Sequence, residues 1–296
     1  MYINSRIPPL KVRARLLMAT LLLTGALMGC ATTSVESRRE LAGDMAARAG
    51  LRPLLLKTDG FQLAGFHRLG PMDKPASVYI EGDGFAWVDR RTISPNPTPR
   101  NPLALRLASI DPAPTVIYLS RPCQYVDLSQ APECHRKYWT SHRFAEQILE
   151  SYDRALDDMA RRWDVSGFHL VGFSGGGAVA ALLAARRWDI LSLRTVAGNL
   201  DPRALNEAKG VSPLTGSLDP MSVAAKLKRL PQIHYSGAKD RVVPAWIAES
   251  FVGAMGPDAC AETHRVPGAE HVAGWPDAWR RLAPILPECP LGPGVP

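Results

Sequence analysis

The sequence predicts an α/β fold in which a mostly parallel sheet is flanked by helices. Two observations carry that prediction. Short apolar runs alternate along the chain with stretches whose apolar residues recur at helical spacing, the pattern of strands joined by crossover helices. One such run, His169 to Phe173, leads into Ser174-Gly-Gly-Gly-Ala178 and then an alanine- and leucine-rich stretch to Arg187, which is a strand, a tight turn and a helix.

Upstream of that turn, Phe61 to Phe66 alternates apolar and polar residues and reads as an early strand. Ala76 to Ile80 and Thr115 to Leu119 read as more buried strands. Between them, residues 94 to 114 are dense in proline, with Leu103 to Ala108 in their midst, and predict a stiff surface excursion over the top edge of the sheet. That excursion, and Trp87 before it, are expected to line a pocket. From Ser141 to Trp163 the residues Phe144, Ile148, Leu149, Tyr152, Leu156 and Met159 recur at helical spacing, with Ser141 as a plausible N-cap. Tyr138 and Trp139 just before it read as packing aromatics. Downstream, Ile190 to Val196, Gln232 to Tyr235 and Glu262 to Val266 read as strands, with helices near Asp201 to Ala208 and Pro220 to Leu230. The insertion at 198 to 219 is short for a full cap domain and is expected to shape specificity.

Gly172, Ser174 and Gly176 spell G-x-S-x-G between a strand and a helix. A serine on so sharp a turn has its backbone strained and neighbours pressed close, and glycine has no Cβ to clash there. The helix that follows aims its first N–H groups back at the serine. No Lys-Ser or Lys-Thr pair follows the glycines, which excludes a phosphate loop.

On these residues the chain resembles the α/β-hydrolase superfamily, and more narrowly its lipid-anchored bacterial members with an E-G-D-G segment. The resemblance implies a mostly parallel central sheet and a triad in the chain order serine, acid, histidine. Glu81-Gly82-Asp83-Gly84 follows an early strand, where many members carry His-Gly or His-Gly-Gly-Gly. The oxyanion donors implied are the N–H groups of Gly175 and Asp83, with Gly84 as the second candidate in the same loop. A bare Asp83 carboxylate would oppose an oxyanion, so its side chain must be paired or turned away.

In the superfamily that the chain resembles, a glycine turn followed by an acid and an apolar–proline pair marks the loop of the triad acid; Ser236-Gly-Ala-Lys-Asp-Arg-Val-Val-Pro244 is similar to it, which implies Asp240. Asp201, after the preceding strand, is the reserve acid. Pro244 is expected in the first turn of a helix. Seven histidines are present. His169, His234 and His264 fall on predicted strands, and His67, His135 and His142 precede the serine, which leaves His271 in the loop after the last strand as the general base.

Arg6, Lys11, Arg13 and Arg15 precede the apolar run Leu16 to Met28, the layout of an export signal too short for a comfortable membrane span. The run ends Leu27-Met-Gly-Cys30, similar to a bacterial lipobox, which implies a signal peptide over 1–29 and a lipidated Cys30. Met28 is larger than the residue usual there, so ordinary cleavage or an uncleaved anchor is the alternative. Ala31 after the cysteine resembles a Gram-negative outer-membrane sorting signal, facing the periplasm. Loss of 1–29 removes four basic residues and no acidic one, so the net charge falls from +7 to +3 and gives no reason to expect nucleic acid. Residues 30–50 read as the lipidated cysteine and a polar tether, and 51–296 as one α/β-hydrolase domain.

Setting Cys30 aside, Cys123, Cys134, Cys260 and Cys289 form an even set in an oxidising compartment. Three pairings exist; Cys123 with Cys134 and Cys260 with Cys289 are preferred because each closes a local loop. No paired Cys/His spacing supports a metal site, and no cofactor is expected. The whole pattern predicts a lipid-anchored serine hydrolase cleaving carboxylic esters, its partners an acyl substrate and the membrane. Amide, peptide or thioester cleavage on the same fold, and a non-catalytic envelope binding protein, are the alternatives.

Overall fold

The computed structural model describes residues 34–289. The export segment 1–29 and Cys30 lie outside the described residues. From Val35 on, the chain folds as one unit.

Eight strands form one sheet: β1 Arg52–Lys57, β2 Gln62–Arg68, β3 Lys74–Ile80, β4 Val116–Leu119, β5 Val165–Phe173, β6 Ile190–Val196, β7 Gln232–Gly237 and β8 Ala261–Val266. Their spatial order is β1-β2-β4-β3-β5-β6-β7-β8. β1 and β2 pair antiparallel, as do β2 and β4, and every pair from β4 through β8 is parallel. β4 is buried at all four positions, and β3 and β5 over most of their length, as expected of central parallel strands covered on both faces.

The helices are α1 Val35–Arg48, α2 Leu103–Ala108, α3 Glu146–Trp163, α4 Gly175–Ala184, α5 Pro202–Ala208, α6 Trp246–Gly253 and α7 Trp275–Leu282. A 3₁₀ stretch, Pro220–Leu227, stands where a longer helix was expected. One core layer packs α3 and α4 with Val78, Ile80, Phe168 and Leu170. The other packs α1, α2 and α7 with Tyr79, Tyr118, Val171 and Val196.

Four expectations need correction. The supposed tether is α1: Ala42 and Ala46, one turn apart, are buried, and their small side chains let the helix sit close on the domain. Within it Arg38 donates to the Thr98 carbonyl (3.0 Å), so the domain begins before residue 51. The proline-dense segment is not wholly a surface excursion, because Leu103, Ala104, Leu105, Leu107 and Ala108 are all buried in α2. Helix α3 begins at Glu146 rather than near Ser141. Residues 141–144 form a turn instead, held locally by Arg143 Nε donating to Thr140 O (2.8 Å) and from a distant segment by the Phe144 N–H donating to Ser217 Oγ (3.2 Å). Pro244 lies just outside α6, which begins at Trp246. Strand β1 and helix α2 have no counterpart in the sequence reading.

Disulfides join Cys123 to Cys134 (Cα–Cα 5.5 Å) and Cys260 to Cys289 (Cα–Cα 4.9 Å), the two preferred pairings. The second fastens the C-terminal segment next to the start of β8. Arg194, fully buried in β6, holds the same segment from the other side by donating to the Ala283 carbonyl (2.7 Å) and the Ile285 carbonyl (3.2 Å). Trp139 is buried with its indole N–H on Ser94 O (3.1 Å), and Tyr138 meets Phe61 edge-to-face, so both are packing aromatics.

Candidate active site

At the end of β5 the chain turns on Ser174, whose φ of 50° and ψ of −119° lie outside the ordinary regions for a residue with a Cβ. The turn is fixed from both sides: Ser174 N–H donates to Val196 O (3.0 Å), and Ser174 O accepts from Gly177 N–H (2.9 Å) and Asn199 N–H (2.9 Å). Such closeness excludes side chains. A Cβ on Gly176 would overlap the carbonyl oxygens of Ile80 and Glu81, and one on Gly172 the backbone of Gly176. Ser174 stands at the N-cap of α4, yet its hydroxyl makes no capping bond.

That hydroxyl points at a histidine. Ser174 Oγ lies 3.1 Å from His271 Nε2, and His271 Nδ1 lies 2.9 Å from Asp240 Oδ2. Asp240 Oδ1 accepts the N–H groups of Val242 (2.7 Å) and Val243 (2.9 Å), so the carboxylate is fixed at both oxygens. A carboxylate only accepts, so Nδ1 carries the imidazole proton and Nε2 is the acceptor for the serine hydroxyl. The side chain of Asp240 is fully buried and that of His271 is 15% exposed, which shields the chain of bonds but leaves its outer end open. The two loops are tied together by Lys239 N–H on Ala269 O (2.9 Å), and the Trp275 indole donates to Glu270 O (2.7 Å). Asp201 is elsewhere engaged: it caps α5 through Ala204 N–H (3.0 Å) and has no bond to His271.

The E-G-D-G loop lies against this serine. A Cβ on Gly82 would stand 3.3 Å from Ser174 Cβ, and one on Gly175 would strike the Asp83 carboxylate. Gly84 takes φ 69°, the left-handed region, so the loop is also a glycine turn. Gly175 is the first residue of α4, and its N–H has no acceptor within the helix. Asp83 is paired, as it had to be, with Arg121 Nη1 (3.0 Å) and Arg143 Nη1 (2.6 Å). Burial alone would push its carboxyl up, but the Arg143 and Arg121 guanidiniums outweigh that and hold it below the ordinary carboxylate range. Neither arginine was singled out from the sequence. They follow β4 and precede α3, and only the sheet order β4-β3-β5 shows that they meet beside β3. Asp83→Ala should leave two largely buried cations facing each other and cost about 2–4 kcal/mol of stability. Urea denaturation of the variant against the parent measures this, and a change below about 0.5 kcal/mol would mean the cluster holds nothing in place.

Glu81 stands where a histidine is common and is fully buried. It accepts from Gly82 N–H (2.9 Å), Ala104 N–H (3.4 Å) and Tyr118 OH (3.2 Å), fastening the loop to α2 and β4. Burial outweighs these donors and pushes its carboxyl up to about 7. Because the folded value exceeds the unfolded one, the native state holds a proton that the unfolded chain has lost. The stabilisation is full below the unfolded carboxylate range and falls away as pH rises through about 7. Glu81→Gln should flatten that loss, shifting the parent-minus-variant stability by on the order of 3 kcal/mol between pH 4.5 and 8. Urea titrations at those two pH values check it; equal differences would contradict it.

Ser174 and His271 open into a cleft of about 240 Å³ whose walls include Phe85, Phe173, Val272, Pro99, Arg100 and Asn101. The proline-dense segment therefore reaches the cleft through residues 99–101. Trp87 does not line it; it sits in a side ribbon paired with Ile93 and is 41% exposed. The 198–219 insertion does not line it either, because Gly216 and Ser217 pack on the Ser141–Phe144 turn. A second cleft, about 220 Å³ and lined by Leu69, Met72 and Trp163, lies at the opposite ends of the strands, away from the serine. Among the described residues no group of His, Cys, Asp or Glu is arranged to hold a metal ion.

No protein-family model matches the sequence, and no curated protein matches it. Solved structures do match. Est1E from Butyrivibrio proteoclasticus superposes with a TM-score of 0.55 at 13% identity, over 78% of this chain and 97% of that one. The chain has the α/β-hydrolase fold. Within that fold, a membrane phospholipase A described as a bacterial virulence factor is similar over 92% of this chain and 99% of its own, with a TM-score of 0.52 and 15% identity. The acylaminoacyl peptidase of Pyrococcus horikoshii (TM-score 0.57, 11% identity) matches 79% of this chain but only 39% of that larger one. At such identities the likeness extends to the α/β-hydrolase fold and not to an activity.

Proposed function

We propose that this protein is a serine hydrolase that cleaves carboxylic esters of small acyl compounds. The observation that carries the reading is the continuous hydrogen-bond chain from Asp240 through His271 to Ser174, ending in an open cleft. As His271 Nε2 takes its proton, Ser174 Oγ bonds to the ester carbonyl carbon, and the carbonyl π pair moves onto oxygen. That oxyanion is received by the N–H of Gly175 and by the N–H of Asp83 or Gly84. Collapse of the intermediate expels the alcohol, which leaves with the proton from His271. Water, deprotonated by the same nitrogen, then cleaves the acyl-serine and regenerates the hydroxyl. Asp240 holds the imidazole in the tautomer that can accept and stabilises its protonated form.

Esters are favoured over peptides because the cleft is small and no cap domain or second domain surrounds it among the described residues. The lipobox-like Leu27–Cys30 supports a protein anchored through Cys30 to a membrane of the cell envelope, at the periplasmic side of the outer membrane. The test sets an aliphatic butyrate ester against N-butyryl-4-nitroanilide and a butyryl thioester. Release of butyrate fastest from the oxygen ester is expected. Turnover of the anilide alone would move the assignment to an amidase, and turnover of none by folded protein would move it to a binding protein.

A further inference from the structure

Among the charged side chains that line the cleft, Glu81 and Asp83 have partners of their own and Arg100 is left without an anion. Arg100 places its guanidinium carbon 3.7 Å from the centroid of the Phe85 ring, and Arg38 approaches the same ring at 4.9 Å. Stacking of this kind fixes the plane of a guanidinium through its face and leaves its N–H edge, the part that pairs with carboxylate or phosphate oxygens. Arg100 is exposed and forms no ion pair or hydrogen bond with a described residue. The carboxylates nearby are all engaged: Asp83 by Arg121 and Arg143, Glu81 by its three donors, Asp240 by His271 and two N–H groups. Arg121 and Arg143 are thereby occupied by Asp83, and Arg100 is the arginine of the cleft wall with no acid opposite it. Phe85 and Arg100 line the same small cleft as Ser174 and His271, so a group held by Arg100 belongs to the molecule whose carbonyl meets the serine.

Resting on the esterase reading, we infer that the substrate is an anionic ester, with a carboxylate or phosphate a few atoms from the scissile carbonyl held by Arg100 on its Phe85 platform. Arg100 acts as a specificity-determining residue. It contacts the non-reacting end of the substrate, so its energy appears in KM when ground and transition states share the contact.

The full-length protein is assayed at pH 7.5 with mono-(4-nitrophenyl) glutarate, the 4-nitrophenyl ester of 4-phosphonobutyrate, and neutral 4-nitrophenyl valerate. The readout is the ratio of kcat/KM for each anionic ester to that for the neutral one. The parent should favour at least one anion, and Arg100→Ala should lower that ratio about tenfold or more, mainly through KM. Arg100→Lys should recover part of it, Arg100→Glu should invert it, and added salt should weaken it. The glutarate and phosphonate arms separate the two anion types. A parent ratio at or below one for both anions, or a ratio that Arg100→Ala leaves unchanged, overturns the inference.

Binding is measured independently of turnover on Ser174→Ala by calorimetry with mono-(4-nitrophenyl) glutarate. Weaker binding by about tenfold when Arg100→Ala is added supports the anion site even if the parent cleaves no ester, in which case only the esterase reading has failed. Equal binding with and without Arg100 overturns the anion site even if esters are cleaved.

Discussion

Ser174→Ala is expected to lower ester turnover by a factor on the order of 10⁴ to 10⁶ while leaving the fold intact. The hydroxyl contributes nothing to the helix cap, and its one side-chain partner is His271 Nε2 at 3.1 Å. Its loss therefore removes the attacking atom without opening a cavity in the core or orphaning a buried donor. Alanine also tolerates the φ 50° turn about as well as serine does, since both carry one Cβ. Steady-state kinetics alongside a thermal melt read both quantities. His271→Ala should cost a similar factor, and the double variant little more, because the two residues act as one unit.

Asp240→Asn is the second large effect, expected to lower kcat by about 10⁴ with little change in stability. The reason is specific to the bonds around this side chain. Val242 and Val243 N–H groups require an acceptor at the Oδ1 position, so asparagine must place its carbonyl there and its NH₂ toward His271. A donor facing Nδ1 forces that nitrogen to be the acceptor and moves the imidazole proton to Nε2, which can then no longer take a proton from Ser174. Raising the pH should not restore activity, because the wrong tautomer is neutral already. A pH–rate profile distinguishes this from simple weakening, which alkaline pH would partly relieve.

The parts of this site that the sequence made legible are those whose chemistry is local. The strand–turn–helix around Ser174 announces itself because crowding permits only glycine at positions 172, 175 and 176. Asp240 and His271 were found by their place after β7 and β8, and their meeting follows from parallel strands ending on one side. The Asp83 cluster was half-legible: the need to neutralise its carboxylate follows from electrostatics, but Arg121 and Arg143 could be matched to it only through the order of strands in the sheet.

The misses have physical causes too. Helix α1 looked like a tether because its apolar face is made of alanines, which bury little area each yet allow close approach. Strand β1 is an edge strand with only Leu56 buried, so its pattern carried no strong alternation. Helix α2 is short and set between prolines, where turn signals outweigh six helical residues. Trp87 stands two residues beyond the part of the loop that meets the cleft, which turns at Gly84 and offers Phe85 instead.

The central claim is that Ser174 is an activated nucleophile, and reaction with a fluorophosphonate probe tests it most directly. Folded full-length protein is treated with the probe, digested and mapped by mass spectrometry, with Ser174→Ala and heat-denatured samples as controls. The hydrogen-bond chain predicts one adduct, on Ser174, absent from both controls and strongly reduced in Asp240→Asn. Native protein that takes up no probe, or takes it up on another serine at the same rate, would contradict the account.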